Sequence, residues 1–347
     1  MRILYLSDSG VEHMADFLYN GFVELYGHEN VIDFPYKPRY HVKKIDGEPY
    51  TYWCSCLDND IGSDNRKHYS ISDFEEIKQL VNNKYFDLII ASTRAYNIFA
   101  QLKSSIWPMG TIVINGEDLS NESYRHMAQL FSPFWNNIDM ILQREYKYNM
   151  SYDHKVVPFP CPCPTRNLPN LGFKKSKDKE IDIFCYLGDT HPFRKKLRER
   201  ISQISGIKSV VSSDHLSISD YFKYMNNSKI CIMAGGVGWE TTHYLDIPFA
   251  KSMLLAQHPK NAIYTTTLKE DPIVYPNNFK DKQSAVFYKN DLSDIETLIK
   301  YYLSHDKERE EIAKRGYEHL MNNLTCKHIA EYVIKCRFDL DYWKSLI

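Results

Sequence analysis

Short, unbroken apolar runs recur along the chain, separated by stretches whose apolar residues fall every three or four positions. In the first half the runs Arg2–Leu6, Val31–Phe34, Phe86–Ala91, Thr111–Asn115, Asp139–Leu142 and Lys155–Phe159 predict strands. Helical patterns lie between them at Val11–Tyr26, Asp73–Asn82, Ala95–Lys103 and Glu122–Phe131. Unbroken apolar strands, rather than alternating ones, suit a parallel sheet covered by helices on both faces. The rhythm then restarts. Strands are predicted at Ile181–Leu187, Lys208–Val211, Lys229–Met233, Met253–Ala256 and Ala285–Tyr288. Helices are predicted at Phe193–Ser202, Ile218–Asn226, Trp239–Asp246, Leu292–Leu303 and Asp306–Asn323, with Thr325 capping one more. The expected fold is α/β: two Rossmann-like, doubly wound domains facing each other across a cleft.

Two segments break this rhythm. Residues 38–72 are polar and aromatic without a period, an insertion of the kind that often builds a substrate site. Residues 156–180 are crowded with prolines as far as Pro169 and then with lysines. Proline denies both helix and central strand, so this segment marks the domain boundary. The reading places an N-terminal domain at 1–165 and a C-terminal domain at 166–347, with the last helix returning to the first domain.

Composition narrows the function. Lys plus Arg number 43 against 44 for Asp plus Glu. Without a basic surplus the chain is not built to coat nucleic acid. The opening "MRILYLSDSG" reads as a first strand and not as a secretory leader, and no apolar window is long enough to span a membrane. The expected location is the cytoplasm, with peripheral membrane contact left open. Two C-x-C pairs, Cys54/Cys56 and Cys161/Cys163, have closer spacing than most structural zinc sites. The triplets "DND" at Asp58–Asp60 and "DLD" at Asp339–Asp341 follow no strand of a nucleotide-binding unit. No metal or organic cofactor is assigned.

The candidate chemistry sits on two turns of the second half. In "IDIFCYLGDTHPFRKK" a strand ends at Leu187, Gly188 makes the turn, and Asp189 or Thr190 is placed to cap a helix with Pro192 in its first turn. Helix starts attract anions. Arg194 and Lys195, set against that dipole, point to an anionic ligand, the alternative being a solvated basic face. In "KICIMAGGVGWETT" a strand leads into Gly235, Gly236 and Gly238, then Glu240, Thr241 and Thr242. Glycines here either admit a ligand close to the backbone or take positive φ. Glu240 either accepts ribose hydroxyls or complements the dipole of its own helix. The spacing matches neither G-x-G-x-x-G nor a P-loop. A catalytic base is expected on loops at the C-terminal ends of first-domain strands, where Asp8, His13, Glu117, Asp118 and His126 fall. Asp8 and Asp118 are equally suited to capping the helices that follow.

The stretches "ISDYFKYMNNSKICIMAGGVGWETTHYLDIPFAKSMLLA" and "YYLSHDKEREEIAKRGYEHLMNNLTCKHIAEYVI" resemble the C-terminal domain of GT-B glycosyltransferases. The likeness is greatest to group-1-like enzymes with a CgeB-type C-terminal domain, looser to exostosin domains, and covers about 181–335. It implies a metal-independent glycosyltransferase that moves a sugar from a nucleotide-diphosphate donor to an acceptor: a glycan, lipid, protein or small molecule. The second domain would hold the donor and the first the acceptor. Glu240 would match the acid on the donor's ribose, and Gly188 with Arg194 or Lys195 the diphosphate turn. Two departures stand out: Ile232 occupies the position of an earlier family Glu, and "LDIPFAKS" keeps Pro248 but lacks the family's glycine. An epimerase or hydrolase of nucleotide sugars on the same fold, or a non-catalytic nucleotide- or sugar-binding module, remain as alternatives.

Overall fold

The computed structural model describes residues 1–41, 44–45, 48–49, 67–102, 110–118, 120–165, 168, 171–214, 216–262 and 272–347. Most of the 38–72 insertion, the triplet Asp58–Asp60 and the pair Cys54/Cys56 therefore lie outside the described residues. In chain order the elements are β1 (Ile3–Leu6), α1 (His13–Tyr26), β2 (Val31–Phe34), β3 (Lys44–Ile45), β4 (Glu48–Pro49), α2 (Phe74–Asn82), β5 (Leu88–Ser92), α3 (Tyr96–Gln101), β6 (Gly110–Asn115), α4 (Ser120–Leu130), β7 (Met140–Gln143) and β8 (Val156–Pro158). They continue with β9 (Ile181–Tyr186), α5 (Pro192–Ser202), β10 (Ser209–Ser212), α6 (Ile218–Asn226), β11 (Ser228–Met233), α7 (His243–Phe249), β12 (Met253–Gln257), β13 (Val286–Tyr288), α8 (Ile295–Ser304), α9 (Asp306–Asn323) and α10 (Cys326–Phe338).

The chain forms two compact units. The first comprises 1–146, 150–168 and 325–347; the second comprises 147–149 and 169–324. A six-stranded sheet in the order β2-β1-β5-β6-β7-β8 organises the first, and a five-stranded sheet in the order β10-β9-β11-β12-β13 the second. Every pairing in both sheets is parallel. The physical reason is visible in the strands themselves. All residues of β1, β5, β6, β7 and β12 are buried, as a sheet with both faces covered requires. The expected α/β class and the eleven strand positions read from the apolar runs match these sheets.

The proline-rich stretch is no loose linker at its start. Val156–Pro158 pairs with β7 at the sheet edge, where a missing N–H does no harm. Beyond it, Cys163 O accepts the Cys326 N–H at 3.0 Å, and Tyr332 donates its hydroxyl to Pro158 O at 2.6 Å. These bonds tie the prolines to α10 within the first unit. Thr325 caps α10 as expected, its hydroxyl accepting the His328 N–H. The six described cysteines are all buried. Among the described residues no helix is long and apolar enough to cross a membrane.

Helix α10 packs on α1 with almost no space between the backbones. A Cβ on Gly21 would stand 2.0 Å from Cys326 O and 2.9 Å from Ala330 Cβ. Backbone cannot yield as a flexible side chain does, so Gly21→Ala is expected to lower unfolding stability by about 1–3 kcal/mol. Urea unfolding of the two proteins reads it directly; equal midpoints would show that α1 and α10 separate freely.

Candidate functional site

In the second unit, the ends of β9 and β11 deliver two turns to one place. After β9, Gly188 faces open space: a Cβ there would meet nothing within 4 Å. Helix α5 then begins at Pro192, and its cap is His191, whose Nδ1 accepts the Phe193 N–H at 3.0 Å. This corrects the expected caps. Asp189 instead pairs with Arg198, and Thr190 is exposed beside Gly236.

Arg194 joins the two turns. Its guanidinium is buried and donates from Nε to Gly235 O at 2.8 Å, from Nη2 to Ala234 O at 3.0 Å and from Nη1 to Gly188 O at 3.4 Å. Burial pulls its pKa below the usual arginine value. No carboxylate pairs with it among the described residues. A fork of five donors on a planar group suits this bridging of three carbonyls; a lysine could not span them. Lys195, one residue on, is exposed and lines a shallow hollow with Arg198, Ser202 and Val211. The structure thus separates the two cations that the sequence offered together.

The glycines serve close approach, not positive φ. Among the described glycines only Gly27 and Gly206 have positive φ. A Cβ on Gly236 would lie 3.0 Å from Thr190 Oγ1 and 3.1 Å from Arg194 Nη2. One on Gly235 would lie 3.1 Å from Trp239 Cα and 3.2 Å from Gln257 Oε1. The loop is fastened by Gly236 N–H to Gly238 O at 2.6 Å and by Gly235 N–H to Gln257 Oε1 at 3.1 Å.

Helix α7 begins at His243, not at Trp239. Trp239 is wholly buried against the rings of Tyr244 and Tyr275, with centroids 4.8 and 5.8 Å away. That anchor holds residues 239–241 in the loop. Glu240 is therefore buried in the loop and lies outside the first helical turn, where a dipole acts. Thr241 Oγ1 is buried without a hydrogen-bond partner among the described residues, and Thr242 is the N-cap position without a side-chain cap bond. Gln257, Trp239 and His191 escaped the sequence reading because no motif marks them; only the fold brings them to the glycines.

In the first unit the loops after β1, β5 and β6 gather four acids. Arg94 sits between them, donating from Nη1 to Val11 O at 2.8 Å and from Nη2 to Glu117 Oε2 at 2.9 Å. Asp118 pairs with Arg144 Nη1 at 2.8 Å. His13 opens α1 and stacks on Phe17 at 5.9 Å. Asp8 does not cap α1; Glu12 holds that position, without a side-chain cap bond. Asp8 is half-buried, and its Oδ1 has no hydrogen-bond partner among the described residues. His126 lies exposed on α4.

Glu12, between the two residues that drew attention, is the acid the sequence reading missed. It is buried, accepts the Ser92 hydroxyl on Oε2, and has no partner for Oε1 among the described residues. Burial pushes its pKa up to about 7, against the Ser92 hydrogen bond and Arg94, which pull it down. Of the acidic triplets, Asp339–Asp341 spends itself on local contacts: Asp339 Oδ1 accepts the Asp341 N–H at 3.0 Å, and Asp341 pairs with Lys344 at 2.6 Å. Among the described residues no three His, Cys, Asp or Glu side chains are grouped to hold a metal ion.

Residues 190–335 match a family model described as glycosyl transferase-like. Among solved structures, HepE from Anabaena in complex with UDP superposes with a TM-score of 0.60 at 10% identity, covering 96% of this chain and 99% of that one. A glycosyltransferase from Rickettsia africae gives 0.59 at 10% identity over 98% of both chains. Sucrose-phosphate synthase from Thermosynechococcus elongatus gives 0.55 at 11%, over 98% and 99%. The chain has the GT-B glycosyltransferase fold. No curated protein sequence matches it. Within this GT-B chain, the glycosyl transferase-like match begins at Thr190, so it takes in Arg194, the glycine loop and Glu240.

The titration of Glu12 has a fixed sign. Unfolded, its carboxyl ionises near 4.5; folded, at about 7. Between those values the folded chain binds more protons, so stability falls as pH rises. Glu12→Gln should remove that slope. Relative to the parent it is expected to gain about 3 kcal/mol between pH 4 and pH 8, read by urea unfolding at both values. Parallel stability curves would show that Glu12 ionises normally.

Proposed function

We propose that the protein transfers a sugar from a nucleoside-diphosphate donor to an acceptor hydroxyl. The second unit holds the donor, and the loops of the first supply the proton acceptor. One observation carries the reading: Arg194 clamps the β9 turn to the β11 glycine loop, and that loop runs on to a buried acid, Glu240. Parallel α/β sheets bind ligands at the carboxyl ends of their strands. HepE, whose structures contain UDP and UDP-glucose, supports a uridine donor on the same fold.

In this reading the acceptor oxygen attacks the anomeric carbon while the bond to the diphosphate oxygen breaks. Negative charge builds on the leaving diphosphate, where the α5 N-terminus offers its positive end. Arg194 acts by holding that turn in shape, three of its five donors being given to carbonyls. Glu240 accepts hydrogen bonds from the ribose. Asp8 takes the acceptor's proton. It is the half-buried candidate whose Oδ1 has no hydrogen-bond partner among the described residues, while Asp118 is engaged by Arg144. The sugar is taken to be a hexose, following the UDP-glucose complex of HepE.

Two variants test the two halves. Glu240→Ala should weaken binding of UDP and UDP-sugars by about 1–3 kcal/mol, as for a lost hydrogen bond to a charged group, in a thermal-shift titration. If UDP, GDP, ADP and CMP all leave the parent's melting point unmoved, the donor reading fails. Asp8→Asn should slow donor turnover, transfer to water included, by about 100-fold or more with donor affinity unchanged. Unaltered turnover would exclude Asp8 as the base.

A further inference from the structure

At the other edge of the second sheet, where strands begin, lies a half-open cavity of about 380 Å³. Lys179 precedes β9, Lys229 opens β11, Lys251 precedes β12, and α9 supplies Arg309 and Lys314. Strands β9 and β11 are six residues long, so the cavity stands about 20 Å from the glycine loop along the sheet. Seven of its twelve lining residues are Lys or Arg and two are Glu, in a chain whose net charge is −1. The surplus is therefore local.

Four of the lysines form no ion pair with a carboxylate among the described residues. Lys179 is buried, and its Nζ donates only to neutral groups: Ser228 O at 2.8 Å, Lys251 O at 3.1 Å and Ser252 Oγ at 2.9 Å. Lys174 donates to Asn227 Oδ1 at 3.0 Å. Lys251 takes a left-handed backbone, φ 62°, and lays its amine on Leu171 O between the Phe173 and Tyr317 rings, 5.0 and 4.8 Å from their centroids. Lys175 is exposed at the rim without an ion pair. Glu310 and Glu311 also line the cavity, and three of the nearby acids have partners of their own. Asp182 pairs with Lys229 at 2.7 Å, Asp306 with Arg309 at 2.5 Å, and Glu310 accepts the Ser176 N–H at 2.6 Å. Burial pushes Lys179 down to about 8, with Arg309 and Lys174 adding to the fall and Glu310 opposing it.

We propose that this cavity is a second ligand site, specific for a phosphate monoester. A phosphate oxygen would supply the missing negative charge to Lys174 and Lys175 and share Lys314 with Glu318, 4.0 Å from it, and the volume admits a glycerol- or sugar-sized body against Phe173 and Ala313. The site is independent of the donor loops, and its ligand is either a free ester or a lipid headgroup of the same chemistry.

The test is lysine acetylation of the full chain with limiting reagent, read by mass spectrometry. The probes are inorganic phosphate, glycerol 3-phosphate, and phosphatidylcholine vesicles with and without phosphatidic acid. At twice its Kd, glycerol 3-phosphate should slow acetylation of Lys174, Lys175 and Lys314 about threefold and leave Lys300 on α8 unchanged. Lys175→Glu combined with Lys314→Glu should abolish the protection of Lys174. Protection by phosphatidic acid vesicles alone also supports the site and assigns the phosphate to a lipid. Equal slowing at Lys300, which means diffuse screening, or no protection by any probe, overturns it. Glu240→Ala should leave the protection intact, so failure here and failure of the donor reading are separate observations.

Discussion

A single buried guanidinium organises the candidate donor site. Arg194 reaches from the first turn of α5 to three carbonyls, on Gly188, Ala234 and Gly235. Removing it would leave those carbonyls short of donors in a buried setting, where each unsatisfied group costs about 1–3 kcal/mol. The glycines follow from the same constraint. With the side chain of Arg194 lying across the loop, any Cβ at Gly236 would crowd Nη2 and Thr190. Trp239 fixes the far side, and Glu240 follows directly on that anchor.

The first unit shows a different use of buried charge. Asp16 lies in α1 with Lys37 Nζ at 2.6 Å and Tyr40 OH at 2.8 Å, and its other oxygen accepts the Glu12 N–H at 3.2 Å. A buried pair with its remaining lone pairs satisfied stabilises local geometry more than it stabilises the fold. Here it fixes the backbone of the loop that presents Glu12. Glu12 itself is left with one oxygen bonded and one not, and it is the acid whose pKa moves to about 7. Asp8, on the same loop, is half-buried, and its Oδ1 is buried without a hydrogen-bond partner among the described residues. One loop thus holds two carboxyls, each with one oxygen unpartnered among the described residues.

Much of the fold was legible because parallel sheets write themselves plainly. Strands such as "ILYL" and "TIVIN" are buried on both faces, so they appear as unbroken apolar runs bounded by polar turns. Helix positions were also readable, with α6 and α9 matching their predicted spans. The start of α7 was not. Its propensity pattern runs from Trp239, but burial of that ring against Tyr244 and Tyr275 outweighs local helix preference. The cap of α5 was misplaced for a related reason: His191 satisfies the Phe193 N–H through Nδ1, a geometry that residue type alone ranks below Asp and Thr.

The sequence by itself determined the α/β class, the order of strands and helices, and the two turns that bear glycine and charge. Those depend on local periodicity and on backbone rules that act over a few residues. The tertiary structure alone decided which cation meets the glycines, Arg194 inward and Lys195 outward. It decided that Glu240 belongs to a loop, that Glu12 is the perturbed acid, and that lysines spread from 174 to 314 share one cavity. Burial and charge compensation are set by neighbours distant in the chain, and no local pattern encodes them.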